Sequence, residues 1–270
     1  MAVIAASILD ADFSRLKNEM TGVIDAGIDA FSLDVMDGHF VPRLTFGEIL
    51  IAQIRTWVDV PIEVHLMVER PERWVQRTCD AGADMVMFHL EAADDPSAVV
   101  GLIRAERRVA GLALRNDTPV GDVPSDLLAA VDVVNLVAVP LGWGGSASAE
   151  DTFDRIAALR ERIDGIGADT AIEVDGGVKP ANASRYVDAG ADMLTSGTGI
   201  YHAPDVSEAV ATLRDSTRGP RDELARRRLA PFLSVPSAHP VDEPARLERL
   251  EALRVALDVP TSVWDPRGRS

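Results

Sequence analysis

The sequence contains very little cysteine and lysine. Its 270 residues include one cysteine, Cys79, so no disulfide can form within the chain, as is typical of a protein from a reducing compartment. Cys79 stands in an apolar-patterned helix just before an Asp-Ala-Gly turn, which favours a small buried residue over a nucleophile. The lysines are Lys17 and Lys179, so Schiff-base chemistry would have to use one of these two side chains.

Long apolar segments and a basic leader are also missing. No apolar run approaches the roughly 18 residues that a membrane span requires, and the N-terminus opens on a strand-like Val-Ile-Ala-Ala at 3–6. We therefore expect a cytoplasmic protein that binds no membrane. The formal net charge of −16 argues against binding of nucleic acid through the general surface. An anionic substrate would need a pocket of backbone amides or a metal ion to overcome this charge.

Short apolar, β-branched runs alternate with longer amphipathic segments, which is the pattern of repeated βα units. The predicted strands lie at 3–9, 30–35, 61–67, 85–89, 110–114, 131–137, 171–174 and 193–196. Eight strands with intervening helices predict an α/β fold, a closed (β/α)₈ TIM barrel, over 1–217. We expect 218–270 to be a C-terminal helical and irregular extension, with an amphipathic helix at 245–257, that packs on the barrel or on a partner subunit.

The sequence Asp-Ala-Gly-x-Asp occurs three times, at 25–29, 80–84 and 188–192. In each copy the glycine is a plausible end to a helix and a strand follows directly. Three copies of one helix-to-strand connection favour a repeated βα architecture but do not indicate a function.

Catalytic residues of such barrels lie at the C-terminal ends of the strands. Asp34, His65 and Asp175 stand at these ends of the second, third and seventh predicted strands. Oxygen and nitrogen donors of this kind suit zinc, manganese, iron or cobalt. Any one of these residues alone is compatible with an ordinary loop position, but the three together predict a divalent metal site at the barrel mouth.

Glycine-containing loops follow the sixth, seventh and eighth predicted strands, at 142–145, 176–177 and 197. Glycine is common in turns of any kind, but free backbone amides after the last strands of a barrel also form its usual phosphate site. Together the loops favour a phosphate monoester as the group by which the substrate is held.

Seven motifs now stand in a fixed order along the chain. They are Ser-Ile-Leu at 7–9, Leu-Asp-Val-Met-Asp-Gly-His-Phe-Val-Pro at 33–42, Val-His-Leu-Met-Val at 64–68, His-Leu-Glu-Ala at 89–92, Gly-Leu-Ala-Leu at 111–114, Trp-Gly-Gly at 143–145 and Val-Asp-Gly-Gly-Val at 174–178. Their order and spacing, over about 4–201, resemble the ribulose-phosphate 3-epimerase family. The Met-Asp-Gly-His-Phe-Val-Pro stretch is the most specific of them.

The resemblance implies an isomerase that epimerises a ketose phosphate at C3, D-ribulose 5-phosphate to D-xylulose 5-phosphate, through an enediolate stabilised by a divalent metal ion. Asp34 and Asp175 are then the acid–base pair and, with His65, the metal ligands. Met36 and Met67 form an apolar cover, or are ordinary core methionines. The implied substrate-binding residues are Ser7, His65, Gly142, Trp143, Gly144, Gly145, Gly176, Gly177, Gly197 and Thr198. The resemblance also implies a homo-oligomer.

Several positions near the implied substrate depart from the family. Ser32 stands where the family usually has a metal-binding histidine, Asp10 stands where it has a serine, and the loop at 137–146 lacks the usual methionine and amide side chains. Two alternatives therefore stay open: an epimerase of a hexulose or tetrulose phosphate, or a barrel that binds a phosphorylated ligand with little or no turnover. Related decarboxylases and condensing enzymes need an Asp-x-Lys-x-x-Asp set, and 34–37 contains no lysine.

Overall fold

The computed structural model describes residues 1–142, 151–219 and 222–234, and within them eight parallel strands form a closed barrel. Each strand pairs with the next along the chain, and the last pairs with the first. The strands are β1 (Val3–Ser7), β2 (Ala30–Met36), β3 (Ile62–Met67), β4 (Met85–His89), β5 (Val109–Leu114), β6 (Val133–Val137), β7 (Ala171–Asp175) and β8 (Met193–Ser196). The predicted TIM barrel is confirmed.

Helices alternate with the strands and cover the outside of the barrel. The helices of the described residues are α1 (Leu16–Asp25), α2 (Glu48–Arg55), α3 (Val75–Asp80), α4 (Pro96–Ala105), α5 (Ser125–Ala130), α6 (Thr152–Gly165), α7 (Ala183–Ala189), α8 (Thr198–Tyr201), α9 (Val206–Ser216), α10 (Asp222–Arg228) and α11 (Ala230–Leu233). Aspartate caps set some of their starts: Asp95 accepts the Ala98 N–H at the beginning of α4. Among the described residues, none of the helices combines the length and apolar character needed to cross a bilayer.

The strands are buried on both faces, as expected when helices cover a parallel sheet. Side chains alternate, so one set packs outward against the helices and the other fills the barrel. β1 ends at Ser7, two residues earlier than predicted, because Ile8–Asp10 forms a 3₁₀ turn. β7 runs one residue further than predicted and ends on Asp175, which is partly exposed, whereas the other residues of the eight described strands are buried. Polar residues at strand ends are thereby placed at one mouth of the barrel.

An aspartate precedes every second strand and ties it to a neighbouring strand. Each of these carboxylates accepts a backbone N–H at the start of that neighbour: Asp29 from Ile4 at 3.0 Å, Asp84 from Ile62 at 2.8 Å, Asp132 from Ala110 at 2.8 Å and Asp192 from Ile172 at 3.0 Å. Three of the four end the Asp-Ala-Gly-x-Asp repeats, so the repeat supplies a strand-to-strand bond as well as a helix end.

The same four aspartates form ion pairs with arginines from the surrounding helices. The pairs are Arg214–Asp29 at 3.2 Å, Arg55–Asp84 at 2.7 Å, Arg104–Asp132 at 3.1 Å and Arg160–Asp192 at 2.5 Å. The arginines come from α9, α2, α4 and α6, so the contact recurs with every second βα unit. Because these pairs lie at the N-terminal ends of the strands, they belong to the face that stabilises the barrel rather than to the catalytic face.

The last described helices, α10 and α11, close this N-terminal end of the barrel. Leu229 and Phe232 are buried in one cluster with the inward-facing Val3, Met85 and Met193. A compact unit therefore extends over Met1–Val235. The boundary predicted at 217 stays a prediction, and the amphipathic helix predicted at 245–257 lies outside the described residues.

The lone cysteine offers a test of the core. Cys79 is buried in α3, and burial raises the pKa of its thiol to about 12. At pH 8 only about one thiol in 10⁴ is then a thiolate. We expect no reaction with a thiol reagent at pH 8 in the folded protein and stoichiometric labelling in denaturant. Rapid labelling of the folded protein would contradict the burial of Cys79.

Candidate active site

Three strands deliver candidate ligand side chains to the mouth of the barrel. Asp34 lies in β2, two residues before its end, His65 lies in β3 and Asp175 ends β7. The His65 Nδ1 lies 3.1 Å from an Asp34 carboxylate oxygen and 3.8 Å from an Asp175 oxygen. One donor atom from each of the three lies within 4.8 Å of the others. The three side chains predicted as metal ligands are therefore brought together.

The spacing of these donor atoms suits one small cation. Ligands bound at about 2.0–2.2 Å around one ion are separated by roughly 3–3.6 Å. Of the two distances from the His65 Nδ1, the 3.1 Å to Asp34 lies within that range and the 3.8 Å to Asp175 is slightly longer. One imidazole nitrogen and two carboxylates are also the donors that zinc and its neighbours in the first transition row accept. The residues present fit a divalent metal ion.

A second histidine and a glutamate lie behind His65. The His89 Nε2 is 2.9 Å from the His65 Nε2, and the His89 Nδ1 is 3.2 Å from a Glu91 oxygen. Burial lowers the pKa of His89 to about 4, so this imidazole is neutral at physiological pH. Burial alone would raise the pKa of Glu91, but hydrogen bonds from His89 and Thr118 lower it to about 2. Glu91 is therefore a carboxylate and an acceptor only.

This chain of contacts determines which nitrogen of His65 faces the cavity with a lone pair. Because Glu91 accepts the Nδ1–H of the neutral His89, the His89 Nε2 is an acceptor. The His65 Nε2 must then carry the proton that it donates to His89. In the neutral ring, the His65 Nδ1 then faces Asp34 and Asp175 with its lone pair and is available as a ligand atom. Sequence reasoning missed this role, although the His-Leu-Glu motif at the end of β4 was the available signal.

The two carboxyl groups of the site raise each other's cost of ionisation. Burial, and then the charge of Asp34, raise the pKa of Asp175 well above its usual value. Burial lowers the pKa of His65, but the hydrogen bond to Asp34 and the charges of Asp34 and Asp175 outweigh burial and raise it. A divalent cation placed between these groups would relieve the excess negative charge.

Polar groups also fill the barrel directly beneath the site. The Ser32 hydroxyl, two residues below Asp34 on β2, is buried and has no hydrogen-bond partner in the described part of the chain. Glu63 and Glu173 are also buried inside the barrel, and burial together with the charge of Glu173 raises the pKa of Glu63 well above its usual value. The sequence gives no sign that these two glutamates interact inside the barrel.

The other predicted substrate residues that the structure describes surround one cavity with the three candidate ligands. The Ser7 hydroxyl donates to Asp34 at 3.3 Å. Met36 and Met67 line the cavity and pack in an apolar cluster with Val137, Val139 and Leu141. The rest of the predicted lining is formed by Gly142, Gly176, Gly177, Gly197 and Thr198. Trp143, Gly144 and Gly145 lie outside the described residues.

Gly176 shows why glycine is needed in this lining. Its φ is +102°, a left-handed conformation that side chains disfavour. A Cβ at this position would also stand 2.6 Å from a Val139 methyl carbon. The backbone after β7 can therefore lie against the cavity only without a side chain.

Residues 3–201 match the family described as Ribulose-phosphate 3 epimerase family. A ribulose-phosphate 3-epimerase of Synechocystis sp. is 39% identical over 225 residues, which are 83% of this chain and 97% of that protein. The corresponding protein of Bacillus subtilis is 37% identical over 217 residues, 80% of this chain and 100% of that protein. A crystal structure of 3-hexulose-6-phosphate synthase superposes with a TM-score of 0.62 and 18% identity over 81% of this chain and 100% of that one, a likeness of fold alone.

Proposed function

The chain belongs to the ribulose-phosphate 3-epimerase family of carbohydrate isomerases, and from this premise we propose that it interconverts D-ribulose 5-phosphate and D-xylulose 5-phosphate by inversion at C3. The observation that carries the proposal is the convergence of Asp34, His65 and Asp175 on one cavity at the catalytic mouth of the barrel.

Asp34 and Asp175 are proposed as the two groups that transfer protons. They come from β2 and β7, which are separated in the barrel by β8 and β1, so they reach the cavity from different sides. One carboxylate takes the C3 proton to give the enediolate, and the other carboxyl returns a proton from the opposite face. In the reverse reaction the two exchange roles. The reaction at C3 therefore needs two acids across one cavity.

In this proposal a divalent ion of zinc, manganese, iron or cobalt would be held by Asp34, the His65 Nδ1 and Asp175. Bound there, such an ion supplies Lewis-acid stabilisation of the negative charge that develops during proton removal. His89 and Glu91 hold the His65 ring in the tautomer that exposes Nδ1.

The other predicted residues act on the rest of the substrate. Ser7 bonds a substrate hydroxyl, and Met36 and Met67 exclude water from the reacting carbon. Backbone amides of the glycine loops hold the end of the substrate that is remote from C3. The residues proposed for this are Gly142, Trp143, Gly144, Gly145, Gly176, Gly177, Gly197 and Thr198.

The serine at position 32, Ser32, favours two further candidate functions. Its buried, unpartnered hydroxyl stands where the family usually has a histidine ligand, so the described residues offer three metal ligands at this site rather than four. Action on a hexulose or tetrulose phosphate, or binding of a phosphorylated ligand with little turnover, are the corresponding alternatives. We also propose that the protein is a cytoplasmic homo-oligomer. It is proposed to bind neither nucleic acid nor membranes.

A deuterium-exchange panel tests these candidates. The metal-supplemented protein is incubated in deuterated water with one of three compounds at a time: D-ribulose 5-phosphate, a hexulose phosphate or a tetrulose phosphate. We expect one deuterium at C3 and inversion, fastest with D-ribulose 5-phosphate. Faster exchange with the hexulose or the tetrulose phosphate would identify that compound as the preferred substrate. Absence of exchange with all three in the metal-loaded protein would contradict epimerisation of ketose phosphates.

A further inference from the structure

An acidic side chain occupies the part of the cavity to which the sequence assigns phosphate. Asp10 ends the 3₁₀ turn after β1 and lines the same cavity as Gly197 and Thr198. One Asp10 carboxylate oxygen lies so close to Gly197 that it would overlap a Cβ placed there, and the Asp10 Cγ would be 3.1 Å from that Cβ. Glycine at 197 therefore makes room for the Asp10 carboxylate.

The surroundings of Asp10 include a backbone donor of this loop. The backbone N–H of Thr198 is among the groups that lower the pKa of Asp10 and so stabilise its charged form. Asp10 is half-buried, and burial raises the pKa of Asp10, while the nearby His202 and the Thr198 N–H lower it. Among the described ionisable groups that act on Asp10, His202 is exposed and Asp34 adds a further negative charge. The Asp10 carboxylate therefore lies beside the loop that the sequence assigns to phosphate.

A carboxylate at this place distinguishes a phosphate from a hydroxyl. Carboxylate and phosphate oxygens are both hydrogen-bond acceptors without protons to donate, so they cannot bond each other and their charges repel. A hydroxyl, in contrast, donates to a carboxylate in a charge-assisted hydrogen bond. The Asp10 carboxylate therefore favours a substrate whose remote end is a hydroxyl.

We propose that Asp10 is a specificity-determining residue that shifts this site from ketose phosphates toward ketoses with an unphosphorylated, hydroxyl-bearing end. The proposal rests on the proposed C3 epimerisation, leaves its chemistry unchanged and alters only the group at the far end of the substrate. Gly197 and the Thr198 amide then form, with Asp10, a binding site for that hydroxyl.

The test measures kcat/KM for D-ribulose and for D-ribulose 5-phosphate in three metal-loaded proteins: the wild type, Asp10→Asn and Asp10→Ser. Asp10→Asn removes the charge with little change of shape, and Asp94→Asn, at an exposed acid outside the cavity, is the control for net charge. We expect the wild type to prefer the phosphate by less than about 10-fold in kcat/KM, and Asp10→Asn to raise that preference about 100-fold, chiefly through a lower KM for the phosphate. A wild type that strongly prefers the phosphate, with no further gain in Asp10→Asn, would overturn the proposal.

The affinity for inorganic phosphate tests the role of Asp10 independently of the proposed epimerisation. Calorimetry at equal metal occupancy should show phosphate binding at least about 10-fold more tightly to Asp10→Asn than to the wild type or to Asp94→Asn. That difference is measurable even if no ketose shows exchange at C3, in which case the proposed function fails while the role of Asp10 stands. Equal phosphate affinity in all three proteins rejects the role of Asp10.

Discussion

Replacement of either Asp34 or Asp175 by asparagine is expected to slow exchange of the C3 proton by roughly 10²- to 10⁴-fold. Asparagine keeps the shape of the side chain but can neither take nor return the proton. Both carboxyls line the cavity beside the His65 Nδ1, whereas the Asp10 carboxylate of the same cavity lies beside Gly197. Deuterium incorporation at C3, followed by NMR at saturating metal, measures the loss.

Two controls separate lost chemistry from lost metal or lost fold. Metal content is measured for each variant, because both residues are also proposed ligands. Asp37→Asn is the matched variant: this acid lies three residues beyond Asp34 but accepts the backbone N–H groups of His39, Phe40 and Glu69 outside the cavity. It should retain exchange within about 10-fold of the wild type. Turnover retained in Asp34→Asn or Asp175→Asn would refute the assigned roles.

Replacement of Asp192 by alanine is expected to destabilise the barrel by about 3–5 kcal/mol. Asp192 is fully buried and shared by two buried guanidinium groups, Arg160 at 2.5 Å and Arg228 at 3.4 Å. It also accepts the Ile172 N–H at 3.0 Å. Alanine removes the buried counter-charge and leaves the two buried arginines with carboxylates that are more than half exposed, Asp164 and Asp169. Removal of one partner of a buried ion pair is the costly way to break it. Thermal unfolding should show a fall of roughly 10 °C in Tm.

The repeated architecture supplies a matched control. Asp132 occupies the equivalent place before β6 and pairs with Arg104, whose side chain is 49% exposed. Solvent can compensate this arginine, so Asp132→Ala should cost about 1 kcal/mol, mainly for the lost backbone bond to Ala110. Equal losses for the two variants would show that burial of the arginines is not what makes Asp192 important.

The fold could be predicted because the relevant signals are local. β-Branched runs, Asp-Ala-Gly-x-Asp connections and glycine helix ends are visible within a few residues of one another, and the barrel follows from their repetition. Placement of Asp34, His65 and Asp175 followed from one topological rule, that parallel strands bring their C-terminal ends to one mouth. The ends of β1 and β7 shifted by one or two residues because a 3₁₀ turn and a rim carboxylate leave no strong signal in the sequence.

The contacts that tune the site depend on distances across the barrel. The sequence shows His89 and Glu91 at the end of a strand, but their contact with the proton of the His65 ring depends on the register of β3 and β4. The sequence likewise shows an aspartate at position 10, whereas its place over Gly197 depends on how the turn after β1 meets the loop after β8. Contacts of this kind join residues that are far apart along the chain, so they leave no repeating pattern in the sequence.

The most direct test of the proposed chemistry is the position of a bound metal ion. Crystals of the protein loaded with Mn²⁺ should give an anomalous peak about 2.0–2.3 Å from an Asp34 oxygen, the His65 Nδ1 and an Asp175 oxygen, with His89 bonded to the other ring nitrogen. A peak that contacts only one of the two carboxylates, or coordination through the His65 Nε2, would contradict a cation shared across the barrel mouth.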